Sequence, residues 1–342
     1  MGRIRADPAC LAELMNHNAC QQEDRAFAMQ NDASNQQPTV SSPQVVDRGG
    51  AGVADSAASV KVTQGNAPPI DRYSTHYERY NGQIGQGANK TTHTAEIRFD
   101  QSLIGLAVVK AFAFADKGWL NEAVAWTLGR SLGLAVPPRA ILLVAAPGEL
   151  ASASEPELQV AHATLSPKGP IILWCASRLE TKPPQQVLSM SWETVILRGE
   201  HGQRLAAFDG WIGNCDRISD NAPYWVTRGL IAAIDHERMA FNQDWIAGAP
   251  QDFDRQGDAK TRLLDRLHAA QKANVFKPKQ ATAIVAAMQG MSELHAVHLA
   301  NLRAEIEQEL LVNVGATAGG NLVTFLEDRA TQDFISKRLG VL

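Results

Sequence analysis

The sequence predicts an α+β fold in two lobes, a β-rich half followed by a mostly helical half. Three observations predict it. Between positions 93 and 177, short apolar runs (HTAEIRF, LIGLAVVKAFAF, RAILLVA and GPIILWCAS) are interrupted by one long helical stretch, WLNEAVAWTLGRSLGL. From about position 200 the apolar residues recur with helical spacing instead, with charges on the opposite face. The length of 342 residues, 45% of them hydrophobic, allows a substantial core and exceeds the usual single domain of about 100–150 residues.

Taken in order, positions 1–70 are expected to form a largely disordered tail. The stretch NDASNQQPTVSSPQVVDRGGAGVADSAASVKVTQGNAPP holds too few large aliphatic and aromatic side chains to offset its ordering entropy, and positions 8–29 could at most add a short helix. Positions 71–178 form the predicted N-lobe. Its long helix stops at Pro137 and Pro138, because proline cannot continue a helix. A polar connection rich in Ala, Ser and Glu leads to the last strand of the lobe, which is short, apolar and preceded by Gly-Pro. Positions 179–342 form the predicted C-lobe: a helix in GQRLAAFDGWIGN, a loop, a strand in LIAAIDH, and four helical segments (DAKTRLLDRLHAAQKANVF, KPKQATAIVAAMQGM, SELHAVHLANLRAEIEQELLVNV and LVTFLEDRATQDFISKRLG).

Composition narrows the function classes. A net charge of -4 offers no basic excess for tracking a phosphate backbone, so direct nucleic-acid binding is not expected. Cys10, Cys20, Cys175 and Cys215 have neither C-x-x-C spacing nor nearby paired histidines, which argues against a zinc site and a disulfide framework. No apolar run approaches the roughly 20 residues of a membrane helix, and no amphipathic basic helix or polybasic run is evident. A cytoplasmic protein without a membrane partner is the expectation.

The most informative stretch is AAFDGWIGNCDRISDNAPYWV followed by GLIAAIDHERMAF. Asp216 and Asn221 stand five apart in a loop after a helix, and Asp235 follows at the end of a strand. Phosphoryl transfer uses such a set: one carboxylate to orient the attacking hydroxyl and accept its proton, then an amide oxygen and a second carboxylate to hold magnesium. These are the hard oxygen ligands that Mg²⁺ prefers. Upstream, Lys110 stands in an otherwise apolar strand and Glu122 in the first turns of the next helix. A lysine among aliphatics requires a counter-ion, so the two are expected to pair. Gly82, Gly85 and Gly87 in NGQIGQGANKTTHT supply a candidate phosphate-covering loop without the full G-x-G-x-x-G spacing.

LIGLAVVKAF, NEAVAWTLGRSLGLAVPP, FDGWIGNCDRISDN and LIAAIDHERMAF resemble the motifs of the HipA-like kinases, distant relatives of the phosphatidylinositol kinases. The resemblance spans roughly positions 76–245. It implies a protein-kinase-like fold and ATP- and Mg²⁺-dependent transfer, most simply to a Ser or Thr hydroxyl of a protein substrate. It also implies Asp216 as catalytic base, Asn221 and Asp235 as metal ligands, and Lys110, held by Glu122, as phosphate anchor. Arg217 matches the family pattern, and the resemblance implies that it belongs with the catalytic residues Asp216, Lys110 and Glu122. Ile218 stands where many relatives have histidine, and His236-Glu237 follows Asp235 where protein kinases place Phe-Gly. Gly85 and Gly87 would cover the phosphates, while Trp174, Cys175 and Ala176, near the hinge between the lobes, would lie against the adenine.

Two other readings stand beside this one. The hydroxyl could belong to a lipid or small metabolite, or the chain could be a pseudokinase that binds nucleotide and acts through a protein partner. A toxin role opposed by an antitoxin partner is suggested by family likeness alone. Ser34, Thr39, Ser41 and Ser42 are candidate autophosphorylation sites. The histidines carry no assigned role, since a lone histidine is more often a satisfied structural group than a ligand.

Overall fold

The computed structural model describes residues 67–84, 90–179, 181–182, 199–215, 217, 225–226, 230–250, 263–274 and 276–339. The expected tail, but for its last few residues, lies outside them.

The fold is α+β. A mixed six-stranded sheet is built from β1 (Ile70–Arg72), β2 (Tyr77–Gln83), β3 (His93–Arg98), β4 (Ile104–Ala113), β5 (Ala140–Ala145) and β6 (Ile171–Ser177), in the order β1-β5-β6-β4-β3-β2. Only β1 pairs in parallel, through Ile70–Leu142 to Arg72–Val144. The other pairs are antiparallel. A single helical turn, α1 (Tyr73–His76), separates β1 on one edge from β2 on the other.

Strand alternation gives the sheet two different faces. Ala107, Val109, Ala111, Ile141, Leu143 and Cys175 share a core with Leu158 and Ala161 of α3 (Pro156–Leu165). On the opposite face lies α2 (Gly118–Ser131), which is buried from Gly118 to Gly129. A helix that is apolar nearly all round belongs between layers, and α2 lies between the sheet and the helical half, touching β4, β6 and the long helix that spans Pro278–Glu305. Gly118 permits the start of α2, because a Cβ there would come within 2.6 Å of the Phe112 ring on β4.

The helical half contains α4 (Glu200–Ile212), a three-stranded sheet of β7 (Thr181–Lys182), β8 (Trp225–Val226) and β9 (Leu230–Ile231), then α5 (Leu263–Lys272), α6 (Pro278–Glu305), α7 (Ala316–Arg329) and α8 (Gln332–Leu339). The two segments read as separate helices around position 291 are one helix of 28 residues, and the last predicted segment divides into α7 and α8. The polar connection of the N-lobe contains α3. Beyond the predicted strand ends, β1 and β2 extend the sheet.

α6 packs on α4 and α8. Arg329 of α7 donates to the carbonyls of Gly210 (2.5 Å) and Trp211 (3.0 Å), closing the C-terminus of α4. Its guanidinium lies over the rings of Phe334, Phe241 and Phe325, 3.9–5.0 Å from their centroids. The backbone N–H of Ala67 donates to the carboxylate of Glu305 at the end of α6, joining the start of the described sheet half to the helical half.

Candidate functional site

Lys110 lies opposite Trp174 in the β4–β6 ladder and projects from the sheet face that α2 covers. Its ammonium is 2.6 Å from Glu122 Oε1 on α2, 2.5 Å from Asp235 Oδ1 and 3.3 Å from Glu237 Oε2. The lysine and Glu122 side chains are 12% and 4% exposed and that of Asp235 is 58% exposed, so the cluster runs from the interior to solvent. One ammonium faces three carboxylates. The three acidic groups have ligand oxygens within 4.8 Å of one another.

Burial alone would drive the Lys110 ammonium to release its proton, but Glu122, Asp235 and Glu237 outweigh it and hold the pKa well above the ordinary lysine value. Burial pushes Glu122 up, with further upward pressure from Asp235 and Glu237, while Lys110 opposes the shift. Lys110 keeps Asp235 low, with Arg217 acting in the same direction. The inner carboxylate is thus the easier of the two to protonate, and the outer one stays anionic.

Beneath the cluster is a second, fully internal network. Arg217 forms a two-pronged bond to Asp209 of α4, Nε to Oδ2 at 2.7 Å and Nη2 to Oδ1 at 2.8 Å. It also donates to the Ile234 carbonyl (2.5 Å) and to His236 Nε2 (2.9 Å). Nε2 therefore accepts. Burial, reinforced by the neighbouring Arg217 charge, lowers the His236 pKa far below its ordinary value, so the ring is neutral. The ring stands edge-on to Phe208, and the backbone N–H of His236 donates to Glu122 Oε2 at 3.1 Å. Both oxygens of Glu122 are engaged, one with the lysine and the other with the segment that carries Asp235.

That segment has an unusual backbone. Asp235, Ala240, Phe241 and Asn242 have φ of 65°, 56°, 58° and 57°, in the left-handed region that residues with a side chain avoid. Such conformations persist where the surroundings over-determine them. The Phe241 N–H is held by the Gly213 carbonyl at 2.8 Å, just beyond α4.

Of the residues singled out in the sequence, the structure brings Lys110, Glu122 and Asp235 together. Asp216, Asn221, Gly85 and Gly87 lie outside the described residues, although Cys215 and Arg217, on either side of Asp216, are buried. Two expectations are corrected. Arg217 is expected among the catalytic residues, but its guanidinium is buried and engaged by Asp209, the Ile234 carbonyl and His236, which makes it a structural anchor. Cys175 was placed against a ligand, but its side chain lies on the other face of the sheet, in the core with Leu143 and Leu158, where burial pushes the thiol up. Trp174 is on the Lys110 face and packs edge-on against Trp126 of α2, and Ala176 follows in the same alternation.

Sequence reasoning left Asp209, His236, Glu237 and Asn121 without roles. For Glu237 a signal existed, a third carboxylate two positions after Asp235. Asp209 and His236 gave none, because their burial depends on partners elsewhere in the chain.

No protein-family model matches the chain, and no curated protein matches it significantly.

Proposed function

We propose that the chain is an ATP- and Mg²⁺-dependent phosphotransferase with a two-lobed protein-kinase-like fold, similar to the HipA-like kinases and acting on the Ser or Thr hydroxyl of a protein. One observation carries this reading: the Lys110 ammonium sits between Glu122 of the next helix and Asp235 of a distant segment. Phosphoryl transfer in kinases depends on a strand lysine paired with a helix glutamate, set beside a metal-binding aspartate. The strand order supports it too. β2 and β3 flank the glycine-bearing connection, and β4 beside them carries the lysine.

The donor set fits magnesium. Glu122, Asp235 and Glu237 offer hard oxygens within 4.8 Å of one another, and a single ammonium leaves their charge only partly balanced. Asp235 and Glu237, with Asn221, would hold the ion, and bound there it neutralises charge on the nucleotide phosphates. Lys110, held in its charged form by its carboxylate neighbours, binds phosphate oxygens. Glu122 fixes the direction in which the ammonium points. Asp216 orients the acceptor hydroxyl and takes its proton. The Arg217–Asp209 pair anchors the chain next to Asp216.

The test is transfer of label from γ-labelled ATP, with Mg²⁺, to protein and small-molecule acceptors by the wild type and by Lys110→Met and Asp216→Ala. The expected result is labelling of protein by the wild type and a loss of at least about 100-fold in each variant. Asp216→Ala should retain most of the ATP affinity. Wild-type turnover surviving in Asp216→Ala would refute the mechanism, and labelling of small molecules alone would refute the protein substrate.

A further inference from the structure

Asn121 immediately precedes Glu122 on α2 and is 0% exposed. Its side chain makes no bond within its own helix. Nδ2 donates to the Glu237 carbonyl at 2.7 Å and to the Met239 carbonyl at 3.4 Å, and Oδ1 accepts from the Trp245 indole N–H at 2.9 Å. Only one orientation of the amide serves these partners, since the two carbonyls need N–H groups and the indole needs an oxygen. Asparagine is a weaker helix former than alanine or leucine, and this one is directed wholly at another segment.

Asn121 and Glu122 together grip residues 236–239. Glu122 takes the His236 N–H, and Asn121 takes the Glu237 and Met239 carbonyls. The gripped stretch lies between the positive-φ residue Asp235 and the three positive-φ residues Ala240, Phe241 and Asn242. A segment of that shape needs external anchors, and the carboxylates of Asp235 and Glu237 depend on it for their approach to Lys110.

We propose that Asn121 is a positioning residue that locks α2 to the 235–245 segment, so that the lysine–glutamate pair and the Asp235–Glu237 carboxylates form one rigid unit. Withdrawal of α2 from Lys110 then requires the acidic segment to move with it. The consequence for magnesium rests on the phosphotransferase reading, whereas the clamp itself does not.

The experiment uses the full chain and Asn121→Asp, which keeps the oxygen that accepts from Trp245 and replaces the donor with an oxygen facing two carbonyls. Hydrogen–deuterium exchange by mass spectrometry should show faster exchange across residues 235–245 than in the sheet and α6. Binding of a non-hydrolysable ATP analogue, titrated with Mg²⁺, should show half-saturation at about 10- to 100-fold higher Mg²⁺, the usual effect of losing a group that orients metal ligands. Its nucleotide affinity at saturating Mg²⁺ should be nearly unchanged. A role limited to stability would lower the melting temperature without moving the Mg²⁺ midpoint. Should Asn121→Asp not fold, Trp245→Phe removes the bond that orients the amide and should raise exchange in the same stretch. Unaltered exchange at 235–245 in a folded variant overturns the clamp. A wild type that binds no ATP analogue with Mg²⁺ overturns the phosphotransferase reading and the magnesium consequence, while the exchange result still decides the clamp.

Discussion

His295 lies in the middle of α6 with 0% exposure, its ring stacked on Trp211 at 4.3 Å and 8°. Neither ring nitrogen has a hydrogen-bond partner among the described residues. Burial, helped by the neighbouring His298, pulls its pKa down to about 3 from 6.5. Between those values the unfolded chain binds a proton that the folded chain does not, so stability rises with pH in this window. The contribution is complete above about pH 6.5 and is lost as pH falls, by up to about 1.4 kcal/mol per unit. His236, lowered well below its ordinary value, acts with the same sign. His295→Phe keeps a ring against Trp211 and removes two unsatisfied polar atoms. It should raise stability at neutral pH by about 1–2 kcal/mol and flatten the decline between pH 6.5 and 4, measured by thermal melts across pH. A slope equal to that of the wild type would show that His295 finds a proton partner. At this scale, the sequence exposed residues whose chemistry conflicts with their immediate neighbours. Lys110 in an apolar strand was such a case, and its pairing with Glu122 could be anticipated. Asn121, Asp209 and His236 were ordinary polar letters, because each acquires meaning only from a partner far along the chain.

Among the elements, α4 shows how one turn conditions the site. It ends at Gly213, whose φ of 65° suits glycine, and whose N–H reaches back to the Asp209 and Gly210 carbonyls. A Cβ at Gly213 would lie 2.9 Å from the Phe325 ring and 3.3 Å from that of Phe241. Gly213→Ala combines an unfavourable backbone region with crowding and should cost about 2 kcal/mol or more, read as a fall of about 4–8 °C in the melting temperature. Because Asp209 stands one turn earlier and holds Arg217, which in turn holds the Ile234 carbonyl, hydrogen–deuterium exchange across residues 233–237 should rise as well. An unaltered melt would place the end of α4 in a looser setting than the geometry implies. Element reading worked where apolar runs were uniform, as in β4, β5, β6 and α2. It failed at β2, whose sequence YERYNGQ has no apolar face, and at α3, where Pro156 at the first helical position was the available signal. In the sequence α6 reads as two helices divided after Met291, but the buried Met288, Met291 and His295 carry the helix through by packing.

Across the whole molecule, the sequence conveyed the succession of a sheet half and a helical half, and strand order completes the picture. The expected boundary at position 70 falls inside β1, a three-residue strand that covers one margin of the sheet. Its brevity hides it from any periodicity argument, and its register is set by β5. Leu142 donates to the Pro69 carbonyl at 2.8 Å, so the shield begins even earlier.

A recombinant version cut to begin at Tyr73 would strip that shield and leave the backbone of Leu142, Leu143 and Val144 open along one side, a template on which another molecule can add a strand. Light scattering should find such a shortened protein self-associating where one begun at Ala67 does not, and equal behaviour would mean that the bared margin is harmless. The stretch from Pro69 to Arg72 thus keeps the backbone of β5 engaged within its own chain.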